Sequence, residues 1–351
     1  MENEKINIKN GWPLAGNRQI ADFLEKSAVN GKIANTYIFL GPEDLGKTAT
    51  AIFFAQSLLC HKQKAGVFSF PCGTCLSCQQ MRNHGGADAG FETLHSDFHL
   101  LKKDKDKKNI SIEQIREFIR ILEMSSFFNS YKIGIIKDAD NLSESAANAL
   151  LKTLEEPRPK VVVILTASRL EKIPATIISR SQILRFSPVK SSIIYDYLVD
   201  DLQCPRTSAK DFARLAAGRP ALAAKFFADR EFYQSYADKA ENFLEFFSGN
   251  INERFNAVEK IINNETDEEK VKNILNVFNI WRGVIRDFLL LATNNGDLIR
   301  HEPWRERLEK ISAALSKSKL LKINILLETG EKYVRANVNP RLVLENIAIN
   351  I

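Results

Sequence analysis

A chain of 351 residues, 44% hydrophobic and 26% charged, has the profile of a folded protein and is long enough for two or three domains, each with its own core. No apolar run reaches the length a membrane-spanning helix needs, and a formal charge of +6 permits contact with nucleic acid without demanding it. The polar opening MENEKINIKN lacks the apolar stretch of a secretory signal, so a cytoplasmic location and reduced cysteines are expected.

The first legible element is a short apolar strand, Thr36 to Leu40, running straight into GPEDLGKT: Gly41, Pro42, Glu43, Asp44, Leu45, Gly46, Lys47 and Thr48. This is the complete GxxxxGKT pattern, in which backbone N–H groups cradle phosphates, the lysine reaches them and the threonine hydroxyl faces Mg²⁺. The segment TATAIFFAQSLL that follows is helix-favouring, so strand, loop and helix stand in the order the motif requires. Bound ATP or ADP is the expectation.

One helix later come Cys60, Cys72, Cys75 and Cys78, the last three as CxxCxxC. Four thiolates in a reducing compartment suit tetrahedral zinc, and a full ligand set leaves no open position, so the ion is expected to be structural. An iron–sulfur cluster, or His61 or His84 in place of one cysteine, are the alternatives. Cys204 stands alone and reads as packing.

The alternating charges from Lys102 to Lys108 read as a solvated loop. Ser111 and Gln114 form a capping box ahead of the helical stripe Ile112, Ile115, Phe118, Ile119 and Leu122. Tyr131 to Ile136 predicts a buried strand. Ser143 caps a helix carrying Ala146, Ala149, Leu150, Thr153 and Leu154, which Pro157 stops, and Val161 to Ala167 is another buried strand. Strands alternating with helices predict a parallel sheet with helices on both faces and its ligand site beyond the carboxyl ends of the strands, where the glycine loop and Asp138 fall.

Past Arg185 the strand pattern ceases, and Pro188, Pro205 and the turn Gly218, Arg219, Pro220 punctuate short helices. From about Tyr233 the pattern is helical, with a long stripe through Val271, Ile274, Leu275, Phe278, Trp281, Ile285 and Phe288. The expected organisation is an α/β nucleotide domain over 1–185 with a cysteine module at about 60–80, a small helical domain over 186–232, and an all-α bundle over 233–351.

Hydrolysis at such a loop needs an acidic residue at a neighbouring strand end to assist Mg²⁺. Here IGII runs into Lys137, Asp138, Ala139 and Asp140. With Lys137 facing the metal, its ammonium repels Mg²⁺ and can itself pair with phosphate. With the register shifted by one, Asp138 faces the metal and Ala139 stands where a base should. Both readings lack a working hydrolytic set. Arg180, in TIISRS, is by itself a surface salt-bridge arginine.

These residues resemble the delta-prime family of bacterial DNA polymerase III clamp-loader subunits, within the AAA+ superfamily. GPEDLGKT, the cysteine set, SAANALLKTLEEPRP (Ser145 to Pro159), IPATIISRSQILRF (Ile173 to Phe186) and NVNPRLVLE (Asn337 to Glu345) carry the resemblance across nearly the whole chain. Aligned on LLKTLEEP, Lys137 takes the place of the metal-binding aspartate and Asp138 that of the catalytic glutamate. The resemblance further implies that Arg180 is a finger reaching into a neighbouring subunit's ATP site, with Ser181 replacing the motif's cysteine. It likens Ser168 to the sensor 1 residue and sets Arg219 near sensor 2. The short helical region then resembles the AAA+ lid, and the terminal bundle a collar that joins subunits into a ring.

On that footing the expected role is a stator-like subunit without ATPase activity of its own. Its partners would be gamma/tau and delta subunits, with the sliding clamp and primer-template DNA met through the complex, and no membrane. The alternatives are a gamma/tau motor ATPase, against which Lys137 and the lack of a tau-like extension argue, and a zinc-bearing nucleic-acid-binding protein, for which no recognition element or basic stripe is visible.

Overall fold

The computed structural model describes residues 11–63, 67–82, 91–104, 107, 109–126, 131–262 and 267–351. The opening segment, His84 and part of the run from Lys102 to Lys108 lie outside them. The chain divides into two compact units, one taking the chain up to Tyr197 together with Gly218–Ala221, the other Leu198–Ala217 and Leu222–Ile351.

The first unit is built on a six-stranded sheet of β1 (Thr36–Leu40), β2 (Phe91–His95), β3 (Phe98–Leu101), β4 (Lys132–Ile136), β5 (Val161–Ala167) and β6 (Gln182–Arg185). Their order is β2-β3-β4-β5-β1-β6. Five run parallel and only β2 pairs antiparallel, at the edge beside β3. Strands β1, β4 and β5 are buried along their whole length, the signature of parallel strands covered on both faces.

Alternation along each strand sorts side chains into two cores. Tyr37, Phe39, Ile133, Ile135, Val162 and Ile164 join the layer containing Ala51, Phe54 and Leu58 of α2 (Lys47–Leu59) and Ile20 and Leu24 of α1 (Arg18–Val29). On the opposite face Ile38, Leu40, Ile136, Val163 and Leu165 pack with α4 (Ile112–Glu123) and α5 (Glu144–Glu155). A short α3 (Leu76–Arg82) precedes β2, and α6 (Ala175–Ile178) leads to β6.

The predicted caps are present. Ser111 Oγ accepts from Gln114 N at 3.4 Å while Gln114 Oε1 accepts from Ser111 N at 3.1 Å, and Ser143 Oγ accepts from Ala146 N at 3.2 Å. Each such cap contributes about 1 kcal/mol.

The α-helices that follow among the described residues are α7 (Ser191–Asp196), which runs into a π turn (Tyr197–Asp201), α8 (Arg206–Leu215), α9 (Pro220–Ala228), α10 (Arg230–Ser248), α11 (Ile251–Ile262), α12 (Asp267–Leu291), α13 (Arg305–Ala314), α14 (Lys317–Arg335) and α15 (Pro340–Asn350). Within the second unit α12 is central and packs against α10, α13, α14 and α15. Ile274, Phe278, Trp281, Ile285 and Phe288 of its predicted stripe are all buried. Trp281 stacks on Phe243 at 4.6 Å and donates its indole N–H to the Lys239 carbonyl at 3.0 Å, which settles the polar atom of a buried ring. Cys204 is buried and donates weakly to the Pro205 carbonyl. No helix among the described residues is long and apolar enough to cross a membrane.

Candidate functional site: phosphate loop and thiol cluster

The loop from Gly41 to Thr48 leaves β1 at the carboxyl end of the sheet and delivers Lys47 as the first residue of α2. Gly41 admits no side chain, because a β-carbon there would strike the carbonyl of Phe186. That carbonyl is held by the pairing of Phe186 N–H with Leu40 O at 2.7 Å. Gly46 sits at φ 86, where residues with a β-carbon are strained, and Asp44 is also left-handed at φ 61. Leu45 and Lys47 are buried, whereas Pro42, Glu43 and Asp44 are exposed and Thr48 is half-buried.

Lys47 Nζ donates to Gly41 O and Pro42 O, both at 2.5 Å, so the ammonium fills the loop's own carbonyls. Burial lowers its pKa, opposed first by the charge of Asp138 and then by Glu43, Asp140 and Asp44. The turn after α8 closes on the same loop: Ala221 N–H donates to Asp44 O at 3.0 Å, which sets the half-buried Arg219 two residues away.

Residue 137 is the first after β4, and β5 lies between β4 and the loop strand β1. Ile133 and Ile135 face α2, so the alternation directs position 137 to the same face. Lys137 is half-buried there. Asp138 adopts φ 54, and its N–H donates to the hydroxyl of the fully buried Thr166 at 3.0 Å. Ser168 lies just beyond β5, two positions after Thr166, and is half-buried on that face. A Mg²⁺ ion held 4 Å from an ammonium would be repelled by about 8 kcal/mol at an effective dielectric of about 20. The residues present therefore fit a polyphosphate and do not fit a metal at position 137.

Arg180 lies just past α6. It is exposed, donates to Thr176 O and Ser179 Oγ at 3.1 Å, and pairs with Glu155 at 3.0 Å.

The four cysteines converge. Cys60 caps the carboxyl end of α2, Cys78 lies in α3, and the Sγ atoms of Cys60, Cys72, Cys75 and Cys78 fall within 4.8 Å of one another. Tetrahedral Zn–S bonds of about 2.3 Å place sulfurs roughly 3.8 Å apart, so a small contraction accommodates the ion. Backbone N–H groups already point at sulfur: Cys72 N to Cys60 Sγ at 3.5 Å, Cys75 N to Cys72 Sγ at 3.3 Å, and Cys78 N to Cys75 Sγ at 3.5 Å. Hydrogen bonds from Thr74 hold the Cys72 thiol down at about 5, while burial pushes Cys60 and Cys78 up. Four thiols so close together, Cys60 and Cys78 buried and Cys72 and Cys75 half-buried, are the donor set a soft dication converts to thiolates. His61 is not among the converging ligands.

The sequence reading did not anticipate Thr166 and Glu155. Thr166 is a β-branched residue inside VVVILTA and reads as strand, and Glu155 is one of two glutamates at a helix end. Only the fold shows that the first pins Asp138 and the second holds Arg180.

A parallel sheet feeding a GxxxxGKT loop, with one strand inserted between the loop strand and the strand of residue 137, defines a P-loop protein of the AAA+ class. Residues 16–190 match the family described as "DNA polymerase III, delta subunit", and the chain belongs to that clamp-loader family. It is 30% identical over 206 residues to DNA polymerase III subunit delta-prime of Haemophilus influenzae, an alignment spanning 58% of this chain but only 57% of that relative's length. Delta-prime of Bacillus subtilis is 23% identical over 338 residues, 94% of each chain. The solved DNA polymerase III gamma subunit-related protein of Thermotoga maritima is 19% identical, with a TM-score of 0.43 over 95% of this chain and 97% of that one.

Proposed function

We propose that the chain works as the delta-prime, stator-like subunit of a DNA polymerase III clamp loader. In this reading it joins gamma/tau and delta subunits in a ring, helps place the sliding clamp on primed DNA, and extends Arg180 to the ATP of the neighbouring motor subunit. Its own site holds nucleotide without cleaving it. The observation that carries the reading is Lys137 at the end of β4, on the face of the sheet that bears the phosphate loop. The exposure of Arg180 supports a role in trans. Ser168 and Arg219 serve as sensor-type residues beside the loop. Cys60, Cys72, Cys75 and Cys78 hold structural zinc. Residues 186–232 act as a lid, and the bundle from 233 as the collar.

The intact GPEDLGKT favours one other reading, a gamma/tau motor that cleaves ATP itself, and Lys137 argues against it. The two part in a reconstitution with candidate motor and delta subunits. The stator reading expects no turnover by the purified chain alone, and a fall of about 10³-fold or more in turnover by the complex when Arg180→Ala replaces wild type. Motor-like hydrolysis by the isolated chain, or unchanged turnover in the complex, would sink it.

A further inference from the structure

The misfit between Lys137 and a metal has a positive side. In a P-loop site the strand-end carboxylate and its Mg²⁺ together carry one net positive charge toward the phosphates. A lysine ammonium at that place carries the same charge in a single covalently fixed group. We infer that Lys137 replaces the carboxylate and the cation together, so that this chain binds a nucleoside di- or triphosphate without a divalent ion.

The geometry supports the substitution at three points. Position 137 continues the row of Ile133 and Ile135 toward α2, whose first residue is Lys47. Strand β4 is two places from β1, about 10 Å at ordinary strand spacing, a gap that a lysine side chain and a bound polyphosphate span between them. Lys137 is half-buried, and no ion pair engages its ammonium among the described residues, so it is available to an anion. Asp138 is already engaged on the protein side: its backbone N–H is tied to Thr166, and its charge is the leading attraction on Lys47.

The inference rests on the proposed reading of residue 137 but not on Arg180, whose part is read by turnover in the complex; the binding assay therefore fails or succeeds independently of it. The test is titration of the full-length chain with ADP, followed by calorimetry, in Mg²⁺ and in excess EDTA. Wild type is expected to bind equally well, within about twofold, in both. Lys137→Asp is expected to create metal dependence, with affinity falling about tenfold or more in EDTA, and Lys137→Ala to lose affinity in both buffers. A wild-type chain that weakens about tenfold in EDTA would overturn the inference and point to Asp138 as a metal ligand, which Asp138→Asn would then abolish. Absence of ADP binding in either buffer would overturn it as well.

Discussion

The ring of Phe118 occupies the space that a β-carbon on Gly134 would need, with Leu122 Cδ1 only 3.1 Å from the same point. Phe118 and Leu122 belong to the buried stripe of α4, and Gly134 lies in the middle of β4. Helix and strand therefore meet through the missing side chain, which lets α4 close on the strand that ends at Lys137. Gly134→Ala is expected to destabilise the first unit by about 1–3 kcal/mol through overpacking. Phe118→Leu should restore part of that loss in the double variant. Urea unfolding of the three proteins checks this, and a neutral Gly134→Ala would show that α4 can retreat.

The thiol cluster is tied to the phosphate loop at both ends of one helix, since α2 begins at Lys47 and is capped by Cys60. Between them, Trp12 stacks on Phe68 at 5.8 Å and 4° and lies 5.1 Å from Phe53 of α2, while Phe70 closes over Gly11. Metal loss should loosen this aromatic cluster. Cys75→Ser, or chelation of wild type, is expected to release about one zinc per chain, lower the melting temperature and change tryptophan emission. Trp12→Phe should remove the emission change while leaving the metal content as it was. An elemental assay finding no zinc in freshly purified protein would dispose of the proposed ion.

How much was legible in the sequence depended on how local the determining interaction was. β1, the loop and α2 were readable because a contiguous motif specifies them, and the caps at Ser111 and Ser143 because their signals span three residues. The hairpin of β2 and β3 was not foreseen. Its apolar runs are short, and His95, Asp97 and His99 break the pattern although all three are buried. Strand β6 was hidden for the opposite reason, since an edge strand with one buried residue in four has almost no alternation to detect. At the site the glycine loop, Lys137 and Arg180 stood out as residues, but the bond from Ala221 to Asp44 is purely main-chain and leaves no mark in composition.

In the second unit a fully buried Asp287 organises the turn ahead of α13. Its Oδ2 accepts from Arg300 N at 2.9 Å, from His301 N at 2.8 Å and from His301 Nδ1 at 2.8 Å, and its Oδ1 pairs with Arg286 at 3.0 Å. The other ring nitrogen of His301 meets the Tyr236 hydroxyl at 3.0 Å. Removing the acceptor strands several buried donors at once. Asp287→Ala is expected to cost about 3–5 kcal/mol and Asp287→Asn clearly less, by urea unfolding followed at the far-ultraviolet helix signal. Equal stabilities of the two variants would mean that the charge, not the hydrogen-bond geometry, holds the turn.

His99 supplies the pH dependence. Its ring is buried within the first unit, where Nε2 donates to Ser96 O at 3.1 Å, and burial holds its pKa down at about 4 against 6.5 in the open chain. Between those values the unfolded chain takes up a proton that the folded chain refuses. Stability is therefore complete above pH 6.5 and falls as the pH drops toward 4, by about 3 kcal/mol in all. Burial sets the window first; the bond to Ser96 opposes it, and of the charged neighbours Lys132 and His95 disfavour the charged ring while Asp97 favours it. His99→Gln retains a donor for Ser96 and carries no titrating group. It is expected to flatten the fall between pH 6.5 and 4 in urea unfolding at a series of pH values, whatever its effect at pH 7. An acid limb as steep in the variant as in wild type would assign the proton uptake to another residue.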